Sequence, residues 1–599
     1  VIALATETFE LAGLRHRQSI DVMFMAAAGV KPFQIERRGG KSWSVVEYKS
    51  NDGPFGYIND SNVALTPGAI KGNTTLTSSI DYFTDHDYGR IYKLLSQGQT
   101  VYAEVAVNTG AGTDSIRVTG VGTTRIFTLV VTIQDNNERI TLQRSTDNVT
   151  WEDLEQYTVN TSKVSPTVVN VQVVKDFGGL NATLNWYAGE WYNGYYPTAV
   201  DIYEGRVWYG RDDKIYGSVS DSYYSHDESI EGNSAAIKKT IGFGAVSSLR
   251  WLRSGLRLML GTLLDEITMR SSSYGEVLTA SNANIKAGTN QGSDNVDPVM
   301  IDNVVYFVQR SGVKLFSMLT FAERDDATTN DVNVLNRNIT KSGIVRIAFT
   351  RQPETRLYCV LADGTMGIYT VDDSEEVAAW SRLSIDGLIK DVVVLPGLKE
   401  DQVYIVVYRN SVYSLQRMAM LSESTEKAKD SFVSYSSAGT TLSGLDHLEG
   451  EVVEVIGDKE LVGSFTVDSG AITVPKNYAS ACVGLPYTAS YVSNKLSGYR
   501  DASVLAERKR VISTGVVLMD YYHKALTIGP TDSHMKNIPR IKKGNPENDN
   551  KFVANYDQLP FPFDGNTQSD PRVHIKATAP CTILALTYEL DELNQQTRQ

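Results

Sequence analysis

Apolar positions along this chain fall mostly into short runs of alternating or continuous hydrophobic character, cut by turn residues. Asp21-Val22-Met23-Phe24-Met25 is followed by the turn Arg38-Gly39-Gly40-Lys41 and then by Trp43-Ser44-Val45-Val46-Glu47-Tyr48. Asn51-Asp52-Gly53-Pro54 closes that unit with strong turn chemistry. Residues 81–95 break the pattern: Phe83, Ile91, Leu94 and Leu95 fit one helical face, and Gln97-Gly98 would end a short helix. From 100 to 187 the spacing returns to strands. The runs 127–131 and 140–143 flank Asp135-Asn136-Asn137, Trp151 follows, and a small inserted β-sandwich is expected. The junction Ser165-Pro166 is abrupt and reads as a place where residues are missing.

The middle of the chain repeats. Turns flanked by apolar runs recur at Gly205, Gly255, Asn303, Glu354 and Glu400, at intervals of 50, 48, 51 and 46 residues. Second hairpins lie inside these units, at Val308–Leu315, Leu361–Met366 and Tyr408–Val412. A unit of about 50 residues with about four short strands has the size of a propeller blade, which buries its faces on its neighbours. An irregular stack of meanders is the alternative. Beyond 431, strand-like runs at 452–456, 472–474, 511–519 and 581–588 alternate with prolines and predict β-sandwich-like modules. The end, 591–599, is polar.

The expected fold class is therefore mainly β and multidomain, a β-propeller-like central body with β-sandwich modules. The expected segments are 1–99, a β-rich platform with one short helix; 100–190, the inserted sandwich; 191–425, the propeller-like repeats; and 426–599, the C-terminal sandwich-like region.

Composition narrows the function. The chain has 599 residues, 42% hydrophobic and 21% charged, so it can build packed cores and suits three to five domains. Its net charge of −13 argues against broad phosphate binding. Tyrosine, at 32 copies, exceeds Phe (17) and Trp (7) together, which favours strands and contact-rich surfaces. Cys359, Cys482 and Cys581 are too far apart for a metal knuckle, and three sparse thiols suit assembly in a reducing cytoplasm. No apolar run is long enough for a membrane helix. Val1 at the start reads as a chain without its natural beginning.

Candidate chemistry is sparse. There is no phosphate-binding loop and no nucleophile elbow, and no two of the seven histidines are close enough in sequence for a zinc motif. His447, between Asp446 and Glu449, reads as a turn residue rather than a catalyst. The acidic clusters Asp85-His86-Asp87, Asp212-Asp213, Asp325-Asp326 with Asp331, Asp372-Asp373 and Glu375-Glu376 read as solvated turns, the third being the best cation candidate. The basic clusters Arg15-His16-Arg17, Arg37-Arg38, Arg508-Lys509-Arg510 and 536–543 read as loops or subunit contacts more than nucleic-acid sites. Glu266, Glu276 and Asp302 supply carboxylates near unit boundaries without marking a pair. No catalytic, cofactor-binding or metal residue is assigned.

A set of stretches then carries a resemblance. Leu14-Arg15-His16-Arg17-Gln18-Ser19-Ile20-Asp21-Val22-Met23-Phe24 is followed by Pro32, Trp43 and Asp52-Gly53-Pro54-Phe55. Later come Gly205-Arg206-Val207-Trp208-Tyr209-Gly210, Gly217-Ser218-Val219-Ser220-Asp221, and Leu249-Arg250-Trp251-Leu252 with Gly261-Thr262 and Glu266. Val305–Gly312, Leu445–Gly450 and Gly484-Leu485-Pro486-Tyr487 complete the order. Together they resemble the nozzle proteins (tail tubular B-like, or stabilisation, proteins) of short-tailed bacteriophages. Tyr216 stands where that pattern has Trp, and the stretch given is expected to lack the family's further N-terminal region.

The resemblance implies a non-enzymatic virion tail component assembled in the host bacterial cytoplasm. It implies a homo-oligomeric ring, usually of six copies, below the portal and adaptor. That ring would continue and narrow the DNA channel, pass viral DNA without reading its sequence, and carry tail fibres or spikes. The alternatives are a glycan-binding or glycan-degrading tail protein on a propeller fold, and a β-propeller scaffold for a cellular partner.

Overall fold

The computed structural model describes residues 13–95, 99–100, 127–128, 143–144, 152–153, 158–174, 177, 180–228, 232–242, 248–273, 275–321, 327–372, 374–423, 427, 429–437, 439–496, 507–538, 550–557 and 560–592. The protein is mainly β: the described residues hold many separate antiparallel sheets and no α-helix, only short 3₁₀ turns such as Asp85–Asp87, Asp446–Leu448 and His523–Ala525. Among them no helix is long and apolar enough to cross a membrane. The chain divides into two compact units, Val1–Ile347 and Ala348–Gln599, so the division falls within the stretch expected to hold all the propeller-like repeats.

In the first unit, Arg15–Ser19, Val22–Ala27, Val30–Gly39 and Ser42–Glu47 form a four-stranded meander. A seven-stranded platform sheet follows. It joins Phe55–Ile58, Leu65–Pro67, Asn73–Ser78 and Ile91–Leu94 to Thr158–Ser165, Val168–Val173 and Trp186–Gly189. The stretch 158–189, expected within a separate insert, thus belongs to the same sheet as 55–94. The runs expected to build the insert, 127–131 and 140–143, and Trp151 lie almost wholly outside the described residues. Ser165-Pro166 lies at the connection between Thr158–Ser165 and Val168–Val173. It turns one strand into its antiparallel partner, and the Pro166 carbonyl accepts the amides of Tyr82 and Phe83 at 2.9 and 2.8 Å.

The helix expected at 81–95 is not formed. Asp87 instead closes a single 3₁₀ turn: its Oδ2 accepts the Thr84 amide at 2.8 Å and the Thr84 hydroxyl at 2.9 Å, a capping box with nothing after it. Gly89 follows in the left-handed region (φ 75°), and Ile91–Leu94 is a strand with Tyr92 and Leu94 buried.

Three blade-type sheets complete the unit, each a four-stranded meander in chain order. The first is Ala199–Tyr203, Arg206–Arg211, Lys214–Gly217 and Ile237–Thr240. The second is Leu249–Ser254, Leu258–Thr262, Glu266–Ser271 and Ala283–Thr289, and the third Val299–Ile301, Val304–Val308, Leu315–Thr320 and Ala327–Asp331. Their second strands are buried on both faces, as continuous apolar sequence requires: Leu258–Thr262 is buried throughout. One core joins the first and second blades through Trp208, Leu249, Leu258 and Ile267, and another joins the second and third through Trp251, Met259, Phe307 and Met318. The N-terminal meander packs on the first blade through Phe24, Tyr48, Val207 and Tyr209.

A fourth blade, Ile344–Thr350, Arg356–Leu361, Met366–Asp372 and Val377–Leu383, begins at the unit boundary. The second unit then holds a three-stranded fifth sheet, Leu388–Leu395, Gln402–Arg409 and Val412–Arg417. Its middle strand alternates strictly, with Val403, Ile405 and Val407 turned inward. A first sandwich module pairs Asp430–Tyr435, Ala481–Leu485, Val452–Gly457 and Glu460–Thr466 around a core of Leu445, Val453, Val483 and neighbours. The last module faces the sheet of Ala489–Val492, His574–Ala577, Leu526–Gly529 and Lys536–Asn537 against the long strand Lys509–Tyr522 and its partners. Val516, Leu518, Ile528 and Ile575 meet between them.

Candidate functional site

A cluster of charges in the first unit is partly buried. Arg15 and Arg17 lie two apart on the first strand and so point to the same side. Arg17 forks onto Asp297, Nη1 to Oδ2 at 3.0 Å and Nη2 to Oδ1 at 3.2 Å, and its Nε lies 3.2 Å from Asp201 on the first blade. Arg15, 1% exposed, donates to Asn295 Oδ1 at 2.8 Å and lies 3.7 Å from Asp297. Asp201 also accepts the Ser254 amide of the second blade at 2.8 Å. Burial alone would raise the Asp297 carboxyl, but the charges of Arg17 and Arg15 overcome it and hold the group down to about 2. Burial, reinforced by Arg17, depresses the Arg253 guanidinium. The Arg15-His16-Arg17 cluster, read from sequence as a loop or surface contact, is thus a strand whose two arginines tie four segments together.

A second joint links 52–55 to the first blade. Asp52 Oδ1 accepts the amides of His226 and Asp227 at 2.6 and 3.0 Å, and Oδ2 accepts the Ser225 hydroxyl at 2.8 Å. His226 is fully buried among Tyr48, Trp191 and Tyr209. Tyr48 donates its hydroxyl hydrogen to the Tyr223 carbonyl at 2.5 Å, so the 2.9 Å contact with His226 Nε2 is a bond that the imidazole donates. Nδ1 is then bare and without a partner, and burial pushes the imidazole down to about 3. Arg206, 1% exposed, spends its guanidinium on the carbonyls of Ser218, Asn233, Ser234 and Ala235 at 2.6–3.0 Å.

A cleft of about 340 Å³ lies beside this joint, lined by Tyr57, Glu190, Tyr192, Tyr195, Arg211 and Lys214 among others. Its aromatic wall is a ladder. Tyr192 and Tyr195 stack at 5.1 Å and 12°, Arg90 covers the ring of Tyr192 at 4.7 Å, and Arg211 that of Tyr195 at 3.9 Å. Glu190 accepts from Lys214 at 2.9 Å and Tyr216 at 2.5 Å and pairs with Lys238 at 2.8 Å. Burial opposes its ionisation, but those donors hold its carboxyl below the usual range. The charged groups here are largely satisfied by one another, so the cleft is built as a brace between the platform sheet and the first blade.

The carboxylates singled out in sequence are not brought into a pair. Glu266 is fully buried and accepts from Thr289 at 2.7 Å, the Gln291 amide at 3.2 Å and Ser293 at 3.0 Å; burial raises its carboxyl. Glu276 is exposed in the loop before the second blade's last strand, and Asp302 sits in a tight turn of the third blade at φ 53°. His447 lies exposed in the 3₁₀ turn Asp446–Leu448, 3.4 Å from the Ser431 carbonyl.

Among the described residues no group of three or more His, Cys, Asp or Glu is placed to hold a metal. Asp325 and Asp326 lie outside them, and Asp331 pairs with Lys314 at 3.2 Å and Arg337 at 3.8 Å. Asp87 is buried on Arg90 and Tyr92 at 2.8 and 2.9 Å, Asp212 pairs with Arg211, and Asp372 accepts the Ser374 amide. Asp373 is outside the described residues, and Glu375-Glu376 forms an exposed turn. Arg38 pairs with Glu36, Arg37 faces Asp21 at 3.7 Å, Lys509 is fully buried, and Lys536 pairs with Asp564; 539–543 lies outside the described residues.

No protein-family model and no curated protein matches the chain. Among solved structures, a complex of Saccharomyces cerevisiae Dbp5 with Nup159, Gle1, IP6 and ADP aligns at 12% identity and a TM-score of 0.22, covering 45% of this chain and 72% of that one. The Trypanosoma rangeli sialidase in complex with sialic acid aligns at 9% identity and a TM-score of 0.20, covering 66% and 91%. A mutant of that sialidase displaying trans-sialidase activity aligns at 13% identity and 0.16, covering 97% and 91%. TM-scores this low carry neither a fold nor a functional argument.

Proposed function

We propose that this chain is a structural subunit of the tail nozzle of a short-tailed phage. Identical copies, six in the simplest case, close around the DNA channel below the adaptor, and their outer surface carries fibres or spikes. One observation supports the reading most. Residues that carry the ordered resemblance, Arg15, Arg17, Asp52, Arg206 and Glu266, are spent on buried or half-buried structural joints within and between sheets. Side chains committed in this way resist deformation, which is what a conduit under load needs, and they are unavailable to a substrate. The net charge of −13 supports a bore that repels duplex phosphates and lets DNA slide.

Electron microscopy of the purified chain and of intact particles tests this. A ring of about six copies on the tail axis is expected. A protein that stays monomeric and is absent from the virion removes the reading.

A further inference from the structure

We infer that strand Val412–Arg417 is the seam between neighbouring copies, completed in trans by an outer strand of the next subunit. The inference rests on the ring reading above.

Among the described residues the fifth sheet has three strands, whereas the four blades before it have four. In those blades the third strand lies beneath a fourth and is largely buried: Lys214–Gly217, Glu266–Ser271, Leu315–Thr320 and the first half of Met366–Asp372. Val412–Arg417 holds the corresponding place and keeps the apolar character of a covered strand. Yet Val412, Tyr413 and Leu415 are 64%, 66% and 67% exposed. Pro is absent from this edge and its lone charge is terminal, so it lacks the usual guards against strand addition.

The described residues of the chain's own continuation do not fill the place. The Met418 amide stays on the inner strand, bonded to the Val403 carbonyl at 2.9 Å, Glu400 accepts the amides of Leu421 and Ser422, and Glu423 clamps Arg417 at 2.9 Å. The next strand, Asp430–Tyr435, is committed to the sandwich module through Ala481–Leu485. An open edge of alternating amides and carbonyls selects one kind of occupant, an extended strand.

The same chain offers that strand. Thr582–Glu592 pairs along one side with Lys509–Tyr522, and no described strand pairs with its other side. Ile583, Leu584 and Tyr588 are exposed on it, Leu584 at 60%. A ring needs a heterologous interface, made of two different surfaces on one subunit that fit each other on successive copies. Two open apolar edges on distinct sheets meet that requirement.

The test uses Leu415→Lys and Leu584→Lys, each on an exposed side chain, with Tyr413→Lys as a second probe of the first edge. Native mass spectrometry should find rings for the unsubstituted chain and monomers for each variant alone, with thermal unfolding unchanged within a few degrees. An equimolar mixture of L415K and L584K retains one competent pair of edges, so it should stop at dimers of one copy of each. Rings that form with either variant, or a mixture that stays monomeric, overturn the seam while leaving the ring reading intact. An unsubstituted chain that never assembles removes both.

Discussion

Arg17 and Asp297, 280 residues apart, meet through two parallel hydrogen bonds of 3.0 and 3.2 Å, and the same guanidinium reaches Asp201. The two side chains are 14% and 18% exposed, so removing one partner leaves the other charge only partly compensated by solvent, at a cost of up to roughly 3 kcal/mol. Asp297→Asn should therefore destabilise the first unit strongly at neutral pH. The acid response follows from the carboxyl being held down to about 2 from 3.8. The unfolded chain takes up this proton first, so the pair contributes fully above about pH 4 and loses its contribution as pH falls through 2. At pH 3 the gap between wild type and Asp297→Asn should narrow by about 1 kcal/mol. Chemical denaturation at both pH values measures it, and an unchanged gap contradicts the assignment.

His226 sets a second pH response, at milder acidity. Its imidazole is pushed down to about 3 from 6.5 by burial, so the folded state keeps it neutral where the unfolded chain protonates it. A depressed pKa means stability present above pH 6.5 and lost as pH falls toward 3, by up to about 1.4 kcal/mol per pH unit. His226→Phe should flatten the stability profile between pH 6.5 and 4 relative to wild type, even if it is less stable at pH 7. Parallel slopes for the two proteins count against the neutral buried imidazole.

The hairpins were legible because their causes are local. Glu204-Gly205 and Asp302 adopt positive φ in two-residue turns, where the sequence places a glycine or an acidic or amide side chain between apolar runs. The helix expected at 81–95 gives way to a strand of period two. Tyr92 and Leu94 are buried two apart, as a strand requires, while Thr84 and Asp87 signal a helix start that Gly89 ends at once. The charge network was not legible: Arg15-His16-Arg17 looks like a basic patch until Asn295 and Asp297 are brought to it by the intervening sheets. Glu266 was visible as a carboxylate, but its partners Thr289, Gln291 and Ser293 are set by strand register rather than by motif.

Gly261 is required by Trp251. A Cβ built on Gly261 would lie 2.0 Å from the indole Cε2 and 2.2 Å from Nε1, and the indole is fully buried, with Phe307 at 5.8 Å. The ring has little room to retreat, so Gly261→Ala should cost at least about 1–3 kcal/mol. Chemical denaturation gives the loss, and near-ultraviolet circular dichroism reports any displacement of the tryptophan. Wild-type stability with an unchanged spectrum would show that the second blade can absorb the methyl group.

In the second unit, Arg409 performs the equivalent task. From the middle strand of the fifth sheet it forks onto Asp430 at 2.9 and 2.8 Å, both side chains being 9% exposed, and it also reaches the Asp386 carbonyl and Ser431. Asp430 in turn accepts the Asp386 amide at 2.9 Å, so one ion pair fixes the start of the sandwich module to the fifth sheet. Arg409→Ala should expose the connection 418–429 to limited proteolysis and lower stability by roughly 3 kcal/mol or more. Arg409→Lys keeps the charge but not the fork, and should recover only part of the loss. The open edge Val412–Arg417 begins three residues beyond this clamp, so Arg409→Ala should also weaken assembly, although it leaves the exposed side chains of the edge untouched. Proteolysis and native mass spectrometry of the same preparations separate the outcomes. A variant that is cut readily yet forms rings as well as wild type would mean that the seam does not depend on how the fifth sheet is held.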